Sequence, residues 1–188
     1  MKTTIMSLLL AGLSLALLPL QAQITPGIKG GLNFSELSGF NGNNRVSGHV
    51  GFFFHHTINN NWCLQPEILY SGEGQRYVSE GEERTLALNY IQVPLMIQYF
   101  PTSQFYLEAG PQFGLLASAT DKGRTGDVNA KSDFTTAAAA LNVGLGVKLN
   151  NRYTIYGRYS AGLTDVSKFD NIVDHSRTAQ VGVSFRLH

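Results

Sequence analysis

The feature that most restricts this chain is a two-residue alternation of apolar and polar side chains, repeated segment after segment to its end. A β-strand turns successive side chains to opposite faces, so this period marks strands with one apolar and one polar face. In one segment Val46, Gly48, Val50, Phe52, Phe54 and Ile58 share a face, while Ser47, His49, Gly51, His55 and Thr57 take the other. Trp62, Leu64, Pro66, Ile68 and Tyr70 then oppose Gln65, Glu67 and Ser71, and Phe105, Leu107, Ala109, Phe113 and Leu115 oppose Glu108, Gln112 and Ser118. Further on, Leu141, Val143, Leu145, Val147 and Leu149 face away from Asn142 and Lys148. Tyr153, Ile155, Tyr159 and Leu163 face away from Thr154, Arg158 and Ser160, and Ala179, Val181, Val183, Phe185 and Leu187 from Thr178, Gln180, Ser184 and Arg186. With Ile28 to Phe34 first and Leu86 to Phe100 fourth, about eight strands are expected, the small end of the transmembrane-barrel range. Pro94 in the fourth predicts a local bulge.

Charge follows the same alternation. Four polar segments, Glu36 to Arg45, Gly72 to Arg84, Ser118 to Asp133 and Thr164 to Arg177, hold most of it and read as long loops. Elsewhere after Ala22 the charges are Arg152, in a turn, and Lys29, Glu67, Glu108, Lys148, Arg158 and Arg186, all on polar strand faces. A Lys or Arg facing lipid at mid-depth costs about 2–4 kcal/mol, so a lipid-facing apolar surface explains the absence of charge there. A soluble eight-stranded barrel would place its charge outside and its apolar lining inside. Charged residues make up 14% of the chain, below the roughly 25% of ordinary soluble proteins. With 14 Lys+Arg against 13 Asp+Glu, nothing in the composition favours nucleic acid.

The connections alternate in length as well. Asn59-Asn60-Asn61, Pro101 to Gln104 and Asn150-Asn151 are tight turns, and the four polar segments alternate with them. Short turns on one rim and long loops on the other are the pattern of a bacterial transmembrane barrel. Trp62, Tyr99, Phe100, Phe105, Tyr153 and Phe185 gather at the short-turn rim, where an aromatic girdle would sit at the membrane interface.

Residues 1–22 stand apart from this pattern. Lys2, an uncharged and mostly apolar run from Ile5 to Leu18, and Pro19-Leu20-Gln21-Ala22 predict a secretory signal cleaved before Gln23, leaving 23–188 as the barrel domain. No later apolar run is long enough for a spanning helix, because Asn89, Gln92, Pro94 and Gln98 interrupt the longest uncharged stretch. The single cysteine, Cys63, allows no intrachain disulfide.

Three segments carry a family resemblance. Pro66-Glu67-Ile68-Leu69-Tyr70-Ser71 with Gly72 and Gly74, then Tyr90-Ile91-Gln92-Val93-Pro94-Leu95 with Tyr99, then Tyr106-Leu107-Glu108-Ala109-Gly110-Pro111-Gln112 with Gly114, resemble the porin-like outer-membrane β-barrel family typified by PorT. The resemblance extends over Gly27 to Leu187 and implies a fold and an outer-membrane location rather than one activity. The C-terminal stretch, with Gln180, Gly182, Phe185 and Leu187, also resembles the signal by which the barrel-assembly machinery recognises its clients. The chain ends in His188 where that signal usually has an aromatic residue.

An eight-stranded barrel is just wide enough for side chains to fill it. Lys29, Glu67, Glu108 and Arg158 are therefore expected to pair in a closed polar interior, since isolated buried charge is costly. The alternative use of these residues is a gated path for protons or ions. No catalytic, cofactor-binding or metal-ligating set is expected. His49 and His55 share a face but lie about 20 Å apart at roughly 3.4 Å per residue, too far to share a metal. A lipid-modifying enzyme would need a serine such as Ser160 or Ser184 brought beside a histidine, and no spacing specifies that. The expectation is a monomer in outer-membrane lipid, without cofactor, with a non-enzymatic envelope or surface role. The loops, including Gly81 to Arg84, Asp121 to Arg124 and Asp165 to Asp174 with Phe169, Ile172 and Val173, are the candidate contact surface for a surface or envelope protein.

Overall fold

The computed structural model describes residues 24–37, 42–79, 82–123, 126–129, 135–164 and 176–187. The predicted signal segment lies outside them, as do His175, His188 and the apolar residues of the last long loop. The described elements are all strands: β1 (Ile24–Leu37), β2 (Gly42–Thr57), β3 (Trp62–Ser79), β4 (Glu82–Tyr99), β5 (Phe105–Gly123), β6 (Gly126–Asn129), β7 (Ala137–Lys148), β8 (Tyr153–Gly162) and β9 (Ser176–Arg186). Eight of them close into an antiparallel ring, each paired with its neighbour in sequence, with β5 passing to β7 and β9 returning to β1. Closure leaves the ring no free edge. The short β6 is a ninth strand outside the ring, paired with β5 from Thr120↔Asn129 to Gly123↔Gly126.

The two faces sort as their period requires. Val50, Phe52, Ile68, Phe113, Val143 and Val183 stand on the outside with about half of their surface or more exposed. Asn33, Glu67, Ser71, Gln98, Asn142, Arg158 and Gln180 are buried inside. This inverts a soluble barrel, whose apolar groups fill the interior. The lumen is mixed rather than purely polar, since Phe53, Leu69, Met96 and Tyr156 also point inward and are almost fully buried.

Closure depends on glycine at the β1–β9 seam. Gly31 faces Gly182 there, and a Cβ on Gly31 would overlap the Val181 carbonyl oxygen, while one on Gly182 would sit 2.6 Å from the Tyr156 hydroxyl. Glycine is what lets the two strands and the Tyr156 ring share this space.

Three expectations are corrected. Pro94 produces no bulge: its pairing with Gln112 keeps the register of Ile97 with Ala109, and the shift comes between Asn89 and Tyr90, where Ala117 of β5 is the extra residue. A proline need only leave one ladder bond unmade, whereas a shift needs an added residue. Strands also extend into Glu36 to Arg45, where β1 ends at Leu37 and β2 starts at Gly42, and into Ser118 to Asp133, where β5 runs to Gly123 and β6 follows; Gly72 to Arg84 is not a long loop, because β3 runs to Ser79 and β4 starts at Glu82. Its polar composition suggested a loop because strands that have left lipid are wet on the outside and lose the apolar marker on that face. Phe100 does not join the girdle; it turns inward and is buried with Cys63 and Tyr106.

Candidate functional site

The lumen is built in three levels, and the middle one holds the charges. Lys29 (β1), Glu67 (β3), Glu108 (β5) and Arg158 (β8) come from four strands spaced around the ring, each at a buried inward position. Arg158 lies between the two carboxylates. Its Nη1 and Nη2 donate to Glu67 Oε2 and Oε1 at 2.9 and 2.8 Å, and its Nε donates to Glu108 Oε1 at 2.8 Å. Lys29 Nζ donates to both Glu67 oxygens at 3.0 and 3.1 Å and lies 4.0 Å from the Tyr156 ring centroid. The remaining acceptor sites are taken by amides: Gln65 Nε2 donates to Glu67 Oε1 at 2.9 Å, and Gln98 Nε2 to Glu108 Oε2 at 3.0 Å. Two positive and two negative groups thus cancel within one connected network, the arrangement in which buried charge is tolerated. The fork of the guanidinium is what allows a single side chain to serve both carboxylates; an ammonium has no such planar fork.

The level at the long-loop rim is apolar. Leu86, Leu88, Tyr90, Leu116 and Ala119 form a buried cluster with Tyr77 and Ala138 against it. At the short-turn rim Phe100 packs on Tyr106 with ring centroids 5.3 Å apart, Cys63 joins them, and His55 meets Phe100 edge-on at 6.3 Å. Lys148 Nζ lies 3.8 Å from the Phe100 centroid. Charges cross the middle of the barrel, with an apolar cluster on either side of that layer.

His49 and His55 are absorbed by hydrogen bonds, whereas His56 Nδ1 is buried and meets no partner among the described residues. His49 joins Asn33 Oδ1 through Nδ1 at 2.6 Å and the Tyr156 hydroxyl through Nε2. His55 contacts Gln65 Oε1 through Nδ1 at 3.2 Å and Arg186 through Nε2. Among the described residues no group of three or more His, Cys, Asp or Glu side chains is placed to hold a metal. Ser160 is buried inside and Ser184 is half-buried; neither appears among the hydrogen-bond partners of these histidines.

At the short-turn rim Trp62 stacks on Tyr99 and Tyr153 on Phe185, with centroids 4.9 and 5.0 Å apart, and Phe105 is half-buried beside them at the start of β5. Of the C-terminal signal residues, Gln180 and Gly182 face inward, while Leu187 is exposed and its N–H donates to the Pro26 carbonyl at 2.8 Å. Tyr156, Gln65 and Gln98 also belong to the central network, and although the alternation puts Gln65 on the polar face, it marks none of the three as a partner of the charges. Neutral amides and an inward tyrosine look like any other lumen residue until partners are known. Glu73 is another inward group, hidden in sequence because its segment reads as loop.

Beyond the strand lengths a bilayer needs, about 9–11 residues, β3 and β4 have 18 residues each and β5 has 19. Their outer portions carry a small polar cluster in which Tyr77 Oη donates to Asp121 Oδ2 at 2.7 Å and Arg84 Nε donates to the same oxygen at 3.0 Å. Burial, followed by the hydrogen bond to Asp121, pushes the Tyr77 phenol above its ordinary range.

A sequence-family description, outer membrane protein beta-barrel domain, matches residues 21–168. No curated protein matches the chain in sequence. Among solved structures it is similar to Ail, the attachment invasion locus protein of Yersinia pestis, at 14% identity over 88% of this chain and 99% of that one, with a TM-score of 0.53. Neisserial surface protein A is similar at 10% identity over 87% and 97%, with a TM-score of 0.55. At these identities the likeness is one of fold. Apolar groups outside, paired charges inside and a closed ring of eight strands agree with the family match: the chain belongs to the outer membrane protein beta-barrel domain family and is an integral outer-membrane barrel.

Proposed function

We propose that the protein is a non-conducting, non-enzymatic barrel that works as a monomer at the cell surface, its lumen serving as a structural core and its outward strands and loops as the contact surface. The observation that carries this reading is the Lys29–Glu67–Arg158–Glu108 network, which bridges the lumen from four strands and is flanked by apolar clusters. An ion entering would have to break charge-assisted bonds that hold one another in place. The long-loop rim supports the second half of the reading. There β2 to β6 continue as an ordered sheet, and β6 pairs with β5 alone among the described residues, which leaves one edge open to a strand of a partner protein.

Ail has been solved with the heparin analogue sucrose octasulfate. Acidic residues outnumber basic ones in the segments that form this chain's long-loop rim, so a protein partner suits the surface better than a sulfated glycan. Interaction with the barrel-assembly machinery during biogenesis rests on the C-terminal pattern around Gln180, Gly182, Phe185 and Leu187.

Planar-bilayer recording of the refolded barrel at neutral and acid pH tests the closed lumen. Silence at both is the expected result. Discrete openings that disappear on changing Glu67, Glu108 or Arg158 would instead make the protein a narrow channel.

A further inference from the structure

Between the central ion network and the outer apolar cluster lies a cavity of about 30 Å³. Glu73, Tyr90, Gln92, Gln112, Ser160 and Ser176 line it, and small residues, among them Gly114 beside Gln92, leave its space open. That volume holds one or two bodies the size of a water molecule.

Glu73 is buried, yet no ion pair among the described residues includes it; those present join Lys29 and Arg158 to Glu67, Arg158 to Glu108, and Arg84 to Asp121. Arg45 comes near but donates to the Glu73 backbone carbonyl rather than to the carboxylate. Both carboxylate oxygens act as acceptors, Oε1 from Gln92 Nε2 at 2.6 Å and Oε2 from Ser176 Oγ at 2.8 Å. The bond to Glu73 fixes the orientation of the Gln92 amide. Its other end, Oε1, is buried and meets no donor among the described residues.

The cavity therefore gathers a carboxylate without a counter-charge, an amide oxygen without a donor, and two serine hydroxyls. We propose that this cavity binds a small monovalent metal cation, such as sodium or potassium, on the Glu73 carboxylate and Gln92 Oε1. Hard cations take oxygen ligands of this kind. The charge of the ion follows from the count of carboxylates. One negative group with neutral oxygens balances a single positive charge, whereas a divalent ion would leave net charge in a low-dielectric interior. An organic ammonium larger than one or two waters does not fit.

The test is urea unfolding of the folded full-length barrel in lipid vesicles, at constant ionic strength, with sodium or potassium replacing N-methylglucamine. A saturable stabilisation is expected, about tenfold in the folding equilibrium when the ion is at ten times its dissociation constant. Glu73→Gln keeps the shape of the side chain and is expected to abolish the increment. Gly114→Ala supplies a second variant, because its new Cβ meets Tyr90, Gln92 and Ala138 at ordinary distances of 3.6 to 3.8 Å while taking up cavity space. It is expected to fold and to move the titration midpoint to higher ion concentration. Equal stability in sodium, potassium and N-methylglucamine would overturn the proposal, as would an increment that survives in Glu73→Gln. Stabilisation through Glu73 by calcium alone would overturn the charge assignment. None of these results depends on whether the lumen conducts.

Discussion

Arg158 answers two carboxylates at once, so its replacement leaves one of them without a cation. Arg158→Met leaves Glu67 with Lys29 alone and Glu108 with no cation. The expected loss is about 3–5 kcal/mol in urea unfolding from lipid vesicles; a variant as stable as the parent would remove the structural role assigned to the network. Glu108→Leu is expected to destabilise in the same assay, because it strips Arg158 Nε and Gln98 of their acceptor. A second residue-scale device is the glycine opposite an aromatic ring. A Cβ on Gly146 would overlap the Tyr106 ring. Gly146→Ala is expected to cost about 1–3 kcal/mol through overpacking. Tyr106→Leu in the same chain is expected to recover part of that, and a double-mutant cycle reads the coupling.

At the scale of elements, the consequential feature is how far β3, β4 and β5 rise past the bilayer. The register shift at Ala117 falls between Asn89 and Tyr90, and beyond it Leu86 and Leu88 remain inward, capping the barrel with apolar side chains. Leu88 is fully buried, so Leu88→Ala is expected to cost about 2–5 kcal/mol. The damage should be local, with faster trypsin cleavage at Arg76 and Arg84 while the barrel keeps its heat-modifiable mobility on gels. Tyr77 adds a pH dependence to the same region. Burial and its bond to Asp121 raise its phenol above the ordinary value, about 10. The folded hairpin then holds that proton more tightly than the unfolded chain does. Its contribution is complete below about pH 10 and is lost as pH rises through the raised value. The stability difference between wild type and Tyr77→Phe is therefore expected to shrink at alkaline pH; a constant difference would exclude the linkage.

For the whole molecule, the two rims differ in charge. The short-turn rim carries Lys148, Arg152 and Arg186 with no acidic residue nearby in sequence, whereas acidic residues predominate in the segments of the other rim. In the outer membrane the short turns face the periplasm, and Lys148 and Arg186 turn inward there against Phe100 and His55, which gives the periplasmic mouth of the lumen a basic lining. Trp62 is the only tryptophan and stacks on Tyr99 at that rim. An amphipathic ring in this position belongs at headgroup depth. In vesicles, lipids with a quencher near the headgroup are expected to quench its fluorescence more than lipids with one at the chain terminus. The reverse order would remove Trp62 from the girdle.

The barrel was legible in the amino-acid order because lipid imposes a strict rule on one face. An uncharged alternate face from Val46 to Leu187, with Lys29, Glu67, Glu108 and Arg158 on the other, permits few arrangements besides a closed sheet in a membrane. That rule lapses where the strands leave lipid, which is why Gly72 to Arg84 looked like a loop and Glu73 like a surface charge. Only the tertiary structure decided that Arg158 joins Glu67 to Glu108, that Tyr156 and His49 enter the lumen network, and that Phe100 turns inward. Strand periodicity assigns a face to each side chain; partners across a lumen depend on the stagger of eight strands around a ring, a property no single segment contains.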